Sequence, residues 1–305
     1  FKLIKNPLSL KRVFNARINY YPGTKYGFTK SKIIKKFYIY FNLFIAKKNK
    51  QFEEIFFKSK DNTDKVSISF NVNNGFKFNE QHLKSLKENG ILVLEEALPK
   101  QEHDEICKKF NKIKKDIEKE TSYKAKGELP DTINKTLDAN IYPDSTLTQI
   151  SNQITRNVYG KSIIPTQYYM YSKSINLPDR PCPGDNMWHS DRYLPNLKLI
   201  YYPFGVKIDS SPFRYILGSH KINRDYLNFF INNDGGTILE DSEYGKKLLK
   251  NSQKLDCAPN TLTVAFTNGF HGRTPFEKQG DRSALFFTYP NFNMLSLICF
   301  WRYNS

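Results

Sequence analysis

The segment 266-FTNGFHGRTPFEKQGDRSALFF-287 joins two strand-like runs through a turn-rich linker, with a histidine near its start and an arginine where the second run begins. The runs themselves, 261-TLTVAFTN-268 and 283-SALFFTYP-290, are short, rich in β-branched and aromatic residues, and bounded by Gly, Pro, Asn or Asp. Those are strand signals. Working outward, the same signature recurs in 164-IPTQYYMYS-172, 197-LKLIYYPFGVKI-208 and 213-FRYILG-218. Upstream of these the spacing is helical. A first helix is expected to stop near Gly90, a short apolar run ILVL follows, and a second helix starts after Pro99 with Ile106, Phe110, Ile113 and Ile117 on one face. Another is predicted from the cap candidate Asp144 to Gly160, with Leu147, Ile150, Ile154 and Val158 at the same spacing. Helices followed by many short strands predict a mainly β fold, a jelly-roll barrel with covering helices.

Composition bounds what such a fold does. The chain has 305 residues, enough for one large domain with an appendage. No apolar run reaches the eighteen or so residues that spanning a bilayer requires. Cys107, Cys182, Cys257 and Cys299 are widely spaced and form no CxxC pair, which disfavours a zinc knot and a disulfide framework and fits a reducing, cytoplasmic setting. There is no GxGxxG or P-loop sequence to support a nucleotide-binding α/β fold.

The net charge of +17 is unevenly placed. Residues 1–60 hold fifteen Lys/Arg against Glu53 and Glu54, leaving little excess for the rest. The basic footprint therefore belongs to a leading arm, and no nucleic-acid partner is expected for the main domain. Division falls into a basic, aromatic-rich arm over 1–64 and a domain over 65–305. Within the arm, 33-IIKKFYIYFNLFIAKKNK-50 reads in two ways: a segment lying on anionic lipid, which would make the protein membrane-peripheral, or a helix packed on the domain with its lysines in water. Packing is the commoner fate of such arms.

A second stretch, 187-MWHSDRYL-194, carries the chemistry. The chain has five histidines, and His189 stands two residues before Asp191. On an extended segment, residues two apart share a face, so both point into a barrel mouth while Ser190 faces away. His271 supplies a third ligand from another strand. Two imidazoles and one carboxylate form the facial set that binds Fe(II) and leaves adjacent positions open for a chelating cosubstrate and O2. Arg282 lies eleven residues beyond His271, a hairpin spacing that is expected to return its guanidinium to the same mouth, where the planar fork holds a carboxylate. HxD alone is a common accident; its joint placement with His271 and Arg282 on successive strand ends carries the weight.

With those residues in hand, the chain from about Leu83 to Pro290 resembles the phytanoyl-CoA dioxygenase family of Fe(II)/2-oxoglutarate oxygenases. The resemblance rests on 88-ENGILVLEEALP-99, 188-WHSD-191, 211-SPFRYILGSHK-221 and the closing pair His271 and Arg282. It implies a double-stranded β-helix (cupin-like) core with iron on His189, Asp191 and His271. It implies 2-oxoglutarate chelated through its 1-carboxylate and keto oxygen, with its 5-carboxylate on Arg282. The implied reaction is hydroxylation of an unactivated C–H in a small or carrier-linked molecule, with release of succinate and CO2. Related halogenases carry a small residue where Asp191 stands, so hydroxylation is favoured.

Further residues are weighed against plainer roles. Tyr168, Tyr171 and Ser172 are candidates for lending hydroxyls to 2-oxoglutarate, or are packed strand residues. Arg273 faces the same mouth or solvent; Arg180 meets an anionic substrate or, by default, water. His220 is read as structural, and His82 and His103 as members of the helical layer. Residues 222–254 look like a partly helical insertion with a GG hinge, the kind of segment that forms a substrate lid. Two other function classes stay open: a metal enzyme that uses no 2-oxoglutarate, and a non-catalytic binding or membrane-associated protein whose basic arm is the working part.

Overall fold

The computed structural model describes residues 36, 39–40, 43–44, 47, 50–58, 66–72, 75–119, 132–137, 145–163, 165, 167–175, 187–191, 193–232, 240–274 and 280–289, with the backbone alone at 51, 113–119, 132–137, 167–175, 280–281 and 288. In chain order the elements are α1 (Lys50–Phe56), β1 (Ser69–Asn71), α2 (Glu80–Asn89), β2 (Ile91–Glu95), α3 (Lys100–Lys119), β3 (Thr132–Leu137), α4 (Thr146–Tyr159), β4 (Gln167–Ile175), β5 (Leu197–Tyr202), β6 (Phe213–Ile216), α5 (Arg224–Asn232), α6 (Glu243–Leu249), β7 (Ser252–Lys254), β8 (Thr261–Phe266), β9 (His271–Arg273) and β10 (Gly280–Thr288).

Seven strands form one sheet in the order β1-β2-β8-β5-β10-β4-β3, and three form a second in the order β7-β6-β9. Only β1–β2 is described as parallel; the other pairings are antiparallel. All six residues of β8 are buried, so TLTVAF reads as a continuous apolar run rather than an alternating one. The two faces have different neighbours. Leu262, Val264 and Phe266 join Leu199, Tyr201, Leu285 and Phe287 in the core beneath α1 and α4. Ala265, Ile200, Tyr202 and Ala284 face inward and pack against Phe213 and Tyr215 of the small sheet. That inner space is the barrel.

The helices follow from their sequence signals, with one shift. Asn79 caps α2, accepting from the His82 amide at 3.0 Å, and Gly90 ends it in the left-handed region at φ 80°. The cap of α4 is Ser145, whose Oγ accepts from the Thr148 amide at 3.3 Å, one residue after the predicted Asp144. Both residue types accept that bond equally well, so the sequence alone could not separate them. Leu147, Ile150, Ile154 and Val158 are buried as their spacing requires.

The described part of the basic arm joins the core. Ile39, Leu43, Phe52, Ile55 and Phe56 are buried, Phe56 lies against Phe266 at 4.7 Å between ring centroids, and the Phe56 carbonyl accepts from the Ile222 amide at 2.8 Å. Aromatic pairs of this kind add roughly 0.5–1.5 kcal/mol beyond area burial. These apolar residues are committed to packing; Tyr40 and Phe44 remain at the surface. No helix among the described residues is long and apolar enough to cross a membrane.

Residues 222–254 are partly helical, containing α5, α6 and β7. Tyr226 anchors α5 to the outer core, its hydroxyl donating to the carbonyls of Tyr193 and Asn268, each at 3.1 Å. Gly235 and Gly236 lie outside the described residues, as do Asp144, Arg180, Cys182 and Cys299.

Candidate metal centre

Two hydrogen bonds build the centre. The His189 amide donates to the His271 carbonyl and the His271 amide to the His189 carbonyl, both at 2.8 Å. Such a reciprocal pair places two residues directly opposite each other, so their side chains emerge on one face. The imidazole centroids are 4.5 Å apart. Two residues on, the Asp191 amide donates to the Thr267 carbonyl at 2.9 Å, which aims the carboxylate at the same point. Ser190 turns the other way and donates to the Asn268 carbonyl at 2.9 Å.

The three side chains converge. Ligand atoms of His189, Asp191 and His271 all lie within 4.8 Å of one another. Asp191 Oδ1 is 3.7 Å from His189 Nε2 and 3.5 Å from His271 Nε2. Each imidazole uses its other nitrogen on the backbone: His189 Nδ1 is 2.9 Å from the Met187 carbonyl, and His271 Nδ1 is 2.9 Å from the Gly269 carbonyl. A carbonyl only accepts, so both Nδ1 atoms carry the proton and both Nε2 lone pairs point into the centre. His271 Nε2 is buried and has no hydrogen-bond partner. A buried lone pair is costly to leave unsatisfied, and a divalent cation at the point where the three side chains meet would satisfy it.

The electrostatics agree. Burial lowers the His189 pKa, which keeps the imidazole in its ligating neutral form. For Asp191, burial alone would raise the carboxyl; the Lys198 ammonium leads the interactions that outweigh it and hold the group well below the usual carboxylate range. Two neutral imidazoles and one carboxylate suit a divalent ion of intermediate softness.

Arg282 is placed differently from the expectation. It is 5 % exposed, and its Nη2 lies 3.4 Å from the Tyr202 hydroxyl, with the guanidinium 5.9 Å from the Tyr202 ring centre. Tyr202 ends β5, while Lys198, which meets Asp191, stands near its beginning. Four residues of strand cover about 13 Å. The guanidinium therefore lies deep in the barrel rather than at its rim, because β10 enters the large sheet from the far end and runs antiparallel to β5.

The register of β10 with β4 sorts the remaining candidates. Lys173, Tyr171 and Tyr169 pair with Arg282, Ala284 and Phe286, while Ser172 pairs with Ser283 and Tyr168 with Phe287. Tyr171 thus occupies a backbone position on the inner, Arg282 face of the pleat, and Tyr168 and Ser172 on the opposite one. Arg273 is buried with Nη1 donating to Ser211 Oγ at 3.0 Å, away from solvent. His220 is a core residue: its Nε2 donates to the Lys87 carbonyl at 3.1 Å, and burial, with help from Lys221, lowers its pKa to about 3. His82 belongs to the α2 cap, and His103 Nδ1 is 2.7 Å from the Tyr201 hydroxyl.

Lys198 was missed. Its Nζ lies 2.8 Å from Asp191 Oδ2. The run LKLIYY gave no sign of it, because a lysine between two leucines reads as a solvent-facing residue.

With this geometry established, solved structures give a point of comparison. EctD from S. alaskensis, solved with 2-oxoglutarate and 5-hydroxyectoine, aligns at 17 % identity over 78 % of this chain and 84 % of its own, with a TM-score of 0.51. That likeness shows the fold, a double-stranded β-helix. More distant likenesses are AviO1 from Streptomyces viridochromogenes Tue57 (14 % identity, 69 % of this chain and 93 % of that one, TM-score 0.48) and HygX from Streptomyces hygroscopicus with nickel and 2-oxoglutarate bound (16 %, 70 % and 88 %, TM-score 0.47). No protein-family model matches the sequence, and neither does any curated protein.

Proposed function

We propose that this chain is an Fe(II)- and 2-oxoglutarate-dependent dioxygenase that hydroxylates an unactivated C–H of a small or carrier-linked organic molecule and releases succinate and CO2. The observation that carries the reading is the convergence of His189, Asp191 and His271 on one point, with the Nε2 of His271 buried and lacking a hydrogen-bond partner. The likeness to EctD, a protein solved with 2-oxoglutarate and a small organic molecule, supports it.

Each protein group has a separate task. His189 and His271 would hold Fe(II) through Nε2, their rings fixed by the Met187 and Gly269 carbonyls. Asp191 would present Oδ1. When bound, iron and 2-oxoglutarate together supply the activation of O2 that removes hydrogen from an inert carbon. Arg282 binds the distal carboxylate of the cosubstrate, and the Tyr202 hydroxyl beside it orients the guanidinium. Of the three β4 candidates, Tyr168, Tyr171 and Ser172, the backbone register favours Tyr171 for the cosubstrate, because it shares the pleat face of Arg282. His189 and Asp191 side chains are a quarter exposed while His271 is buried, so substrate approaches from the side of the first two.

Anaerobic titration of the apo protein with Fe(II) and then 2-oxoglutarate tests the reading through the weak visible charge-transfer band of the chelate. The band should vanish in His271→Ala and need far more 2-oxoglutarate in Arg282→Ala. Iron that fails to bind, or binds with no response to 2-oxoglutarate, defeats the proposal.

A further inference from the structure

The Asp191 carboxylate has two oxygens with different neighbours. Oδ1 faces both imidazoles, and Oδ2 lies 2.8 Å from the Lys198 ammonium. Lys198 is the second residue of β5, in register with Ala265 of β8, and shares its inner face with Ile200 and Tyr202. Its small, apolar neighbour leaves the side chain room to extend along the wall toward Asp191, and that side chain is 26 % exposed at the same opening as Asp191. A cation placed here repels a metal ion. A fold that needed only tight metal binding would gain from a neutral residue at this position.

We infer that Lys198 is a positioning residue that holds Asp191 to ligation through one oxygen and, at some cost in metal affinity, raises the affinity of the loaded centre for the anionic cosubstrate. This rests on the oxygenase reading above. The physical reasoning is a charge count. Two neutral imidazoles and one carboxylate leave a divalent ion with one net positive charge; the ammonium adds a second. A dianionic 2-oxoacid is drawn more strongly to the more positive centre. With Oδ2 engaged, Asp191 cannot chelate through both oxygens, so the coordination positions that the cosubstrate requires stay free.

The inference predicts changes of opposite sign, which loss of structure does not produce. The full-length chain and its Lys198→Met and Lys198→Arg variants are titrated anaerobically with Mn(II), followed by the disappearance of the free-ion electron paramagnetic resonance signal. The Mn(II)-loaded proteins are then titrated calorimetrically with 2-oxoglutarate. Lys198→Met should bind Mn(II) about fivefold more tightly and 2-oxoglutarate about fivefold more weakly, the scale of one partly exposed charge pair. Lys198→Arg should restore both values. Lys198→Gln replaces the methionine variant if that protein does not fold. Weakening of both affinities, no change in either, or failure of arginine to rescue overturns the role given to Lys198. Failure of the unaltered chain to bind Mn(II), or of the loaded chain to bind 2-oxoglutarate, overturns the oxygenase reading itself and this inference with it.

Discussion

Replacing Gly90 by alanine isolates the packing that backs the metal-bearing strands. Gly90 ends α2 at φ 80°, and its carbonyl accepts from the Phe266 amide at 2.9 Å. A Cβ here would lie 2.5 Å from the Tyr215 hydroxyl oxygen and closer still to His220 Nδ1. Neither neighbour can give way easily: the Tyr215 hydroxyl donates to the Phe266 carbonyl at 2.9 Å, and the His220 ring lies between Phe56 and Phe266 at 5.8 and 5.6 Å. Two costs add. The left-handed backbone costs alanine about 1 kcal/mol, and forcing atoms into a filled core costs about 1–3 kcal/mol more. Gly75 provides the control, since it also has positive φ, at 89°, but nothing within 4 Å of an added Cβ. Gly75→Ala should therefore show only the backbone cost, and Gly90→Ala should exceed it by about 1–3 kcal/mol in urea unfolding. Because Tyr215 pairs in register with His271, Gly90→Ala should also weaken Mn(II) binding while Gly75→Ala leaves it unchanged. Equal stability losses in the two variants would refute the packing account.

Three further outcomes follow from separate contacts. His220, with its pKa lowered to about 3 against an ordinary value of 6.5, binds its proton in the unfolded chain first, so stability is unaffected above pH 6.5 and falls as pH drops from there toward 3. The loss reaches about 2 kcal/mol by pH 5, and His220→Gln, compared by urea unfolding at pH 7 and 5, should remove that share of the slope. Ser145→Ala should cost about 1 kcal/mol of stability by removing the α4 cap, with Mn(II) affinity unchanged. Arg282→Lys should keep Mn(II) affinity but weaken 2-oxoglutarate about tenfold by calorimetry, because an ammonium cannot reproduce the planar fork.

How far the sequence could be read depended on the range of the interactions involved. His189 and Asp191 were legible because a two-residue spacing on an extended segment decides their common face locally. The helices over Leu147–Val158 and Ile106–Phe110 were legible for a similar reason, and the structure buries those residues. The depth of Arg282 was not. Hairpin spacing from His271 says that the chain returns, but whether it returns to the rim or the interior depends on β10 pairing with β5 and β4, partners about eighty and over a hundred residues away. β1, β3, β7 and β9 were missed because SFN, TINKTL, SQK and HGR carry little apolar signal; each takes its place from the strand beside it. The arm was ambiguous for a different reason: an apolar face flanked by lysines satisfies a membrane surface and a protein core equally, and contacts such as Phe56 with Phe266 exist only once the core is built. Lys198 combines both difficulties. Parity separates Lys198, Ile200 and Tyr202 from Leu197, Leu199 and Tyr201, but both sets are largely apolar, and a lysine between two leucines suits a solvated face. Which set lines the barrel is decided by the pairing of β5 with β8 and β10 and by the small sheet that packs against it. The partner, Asp191, stands only seven residues earlier but off the strand, so the ion pair that satisfies the lysine exists only once the strands are assembled.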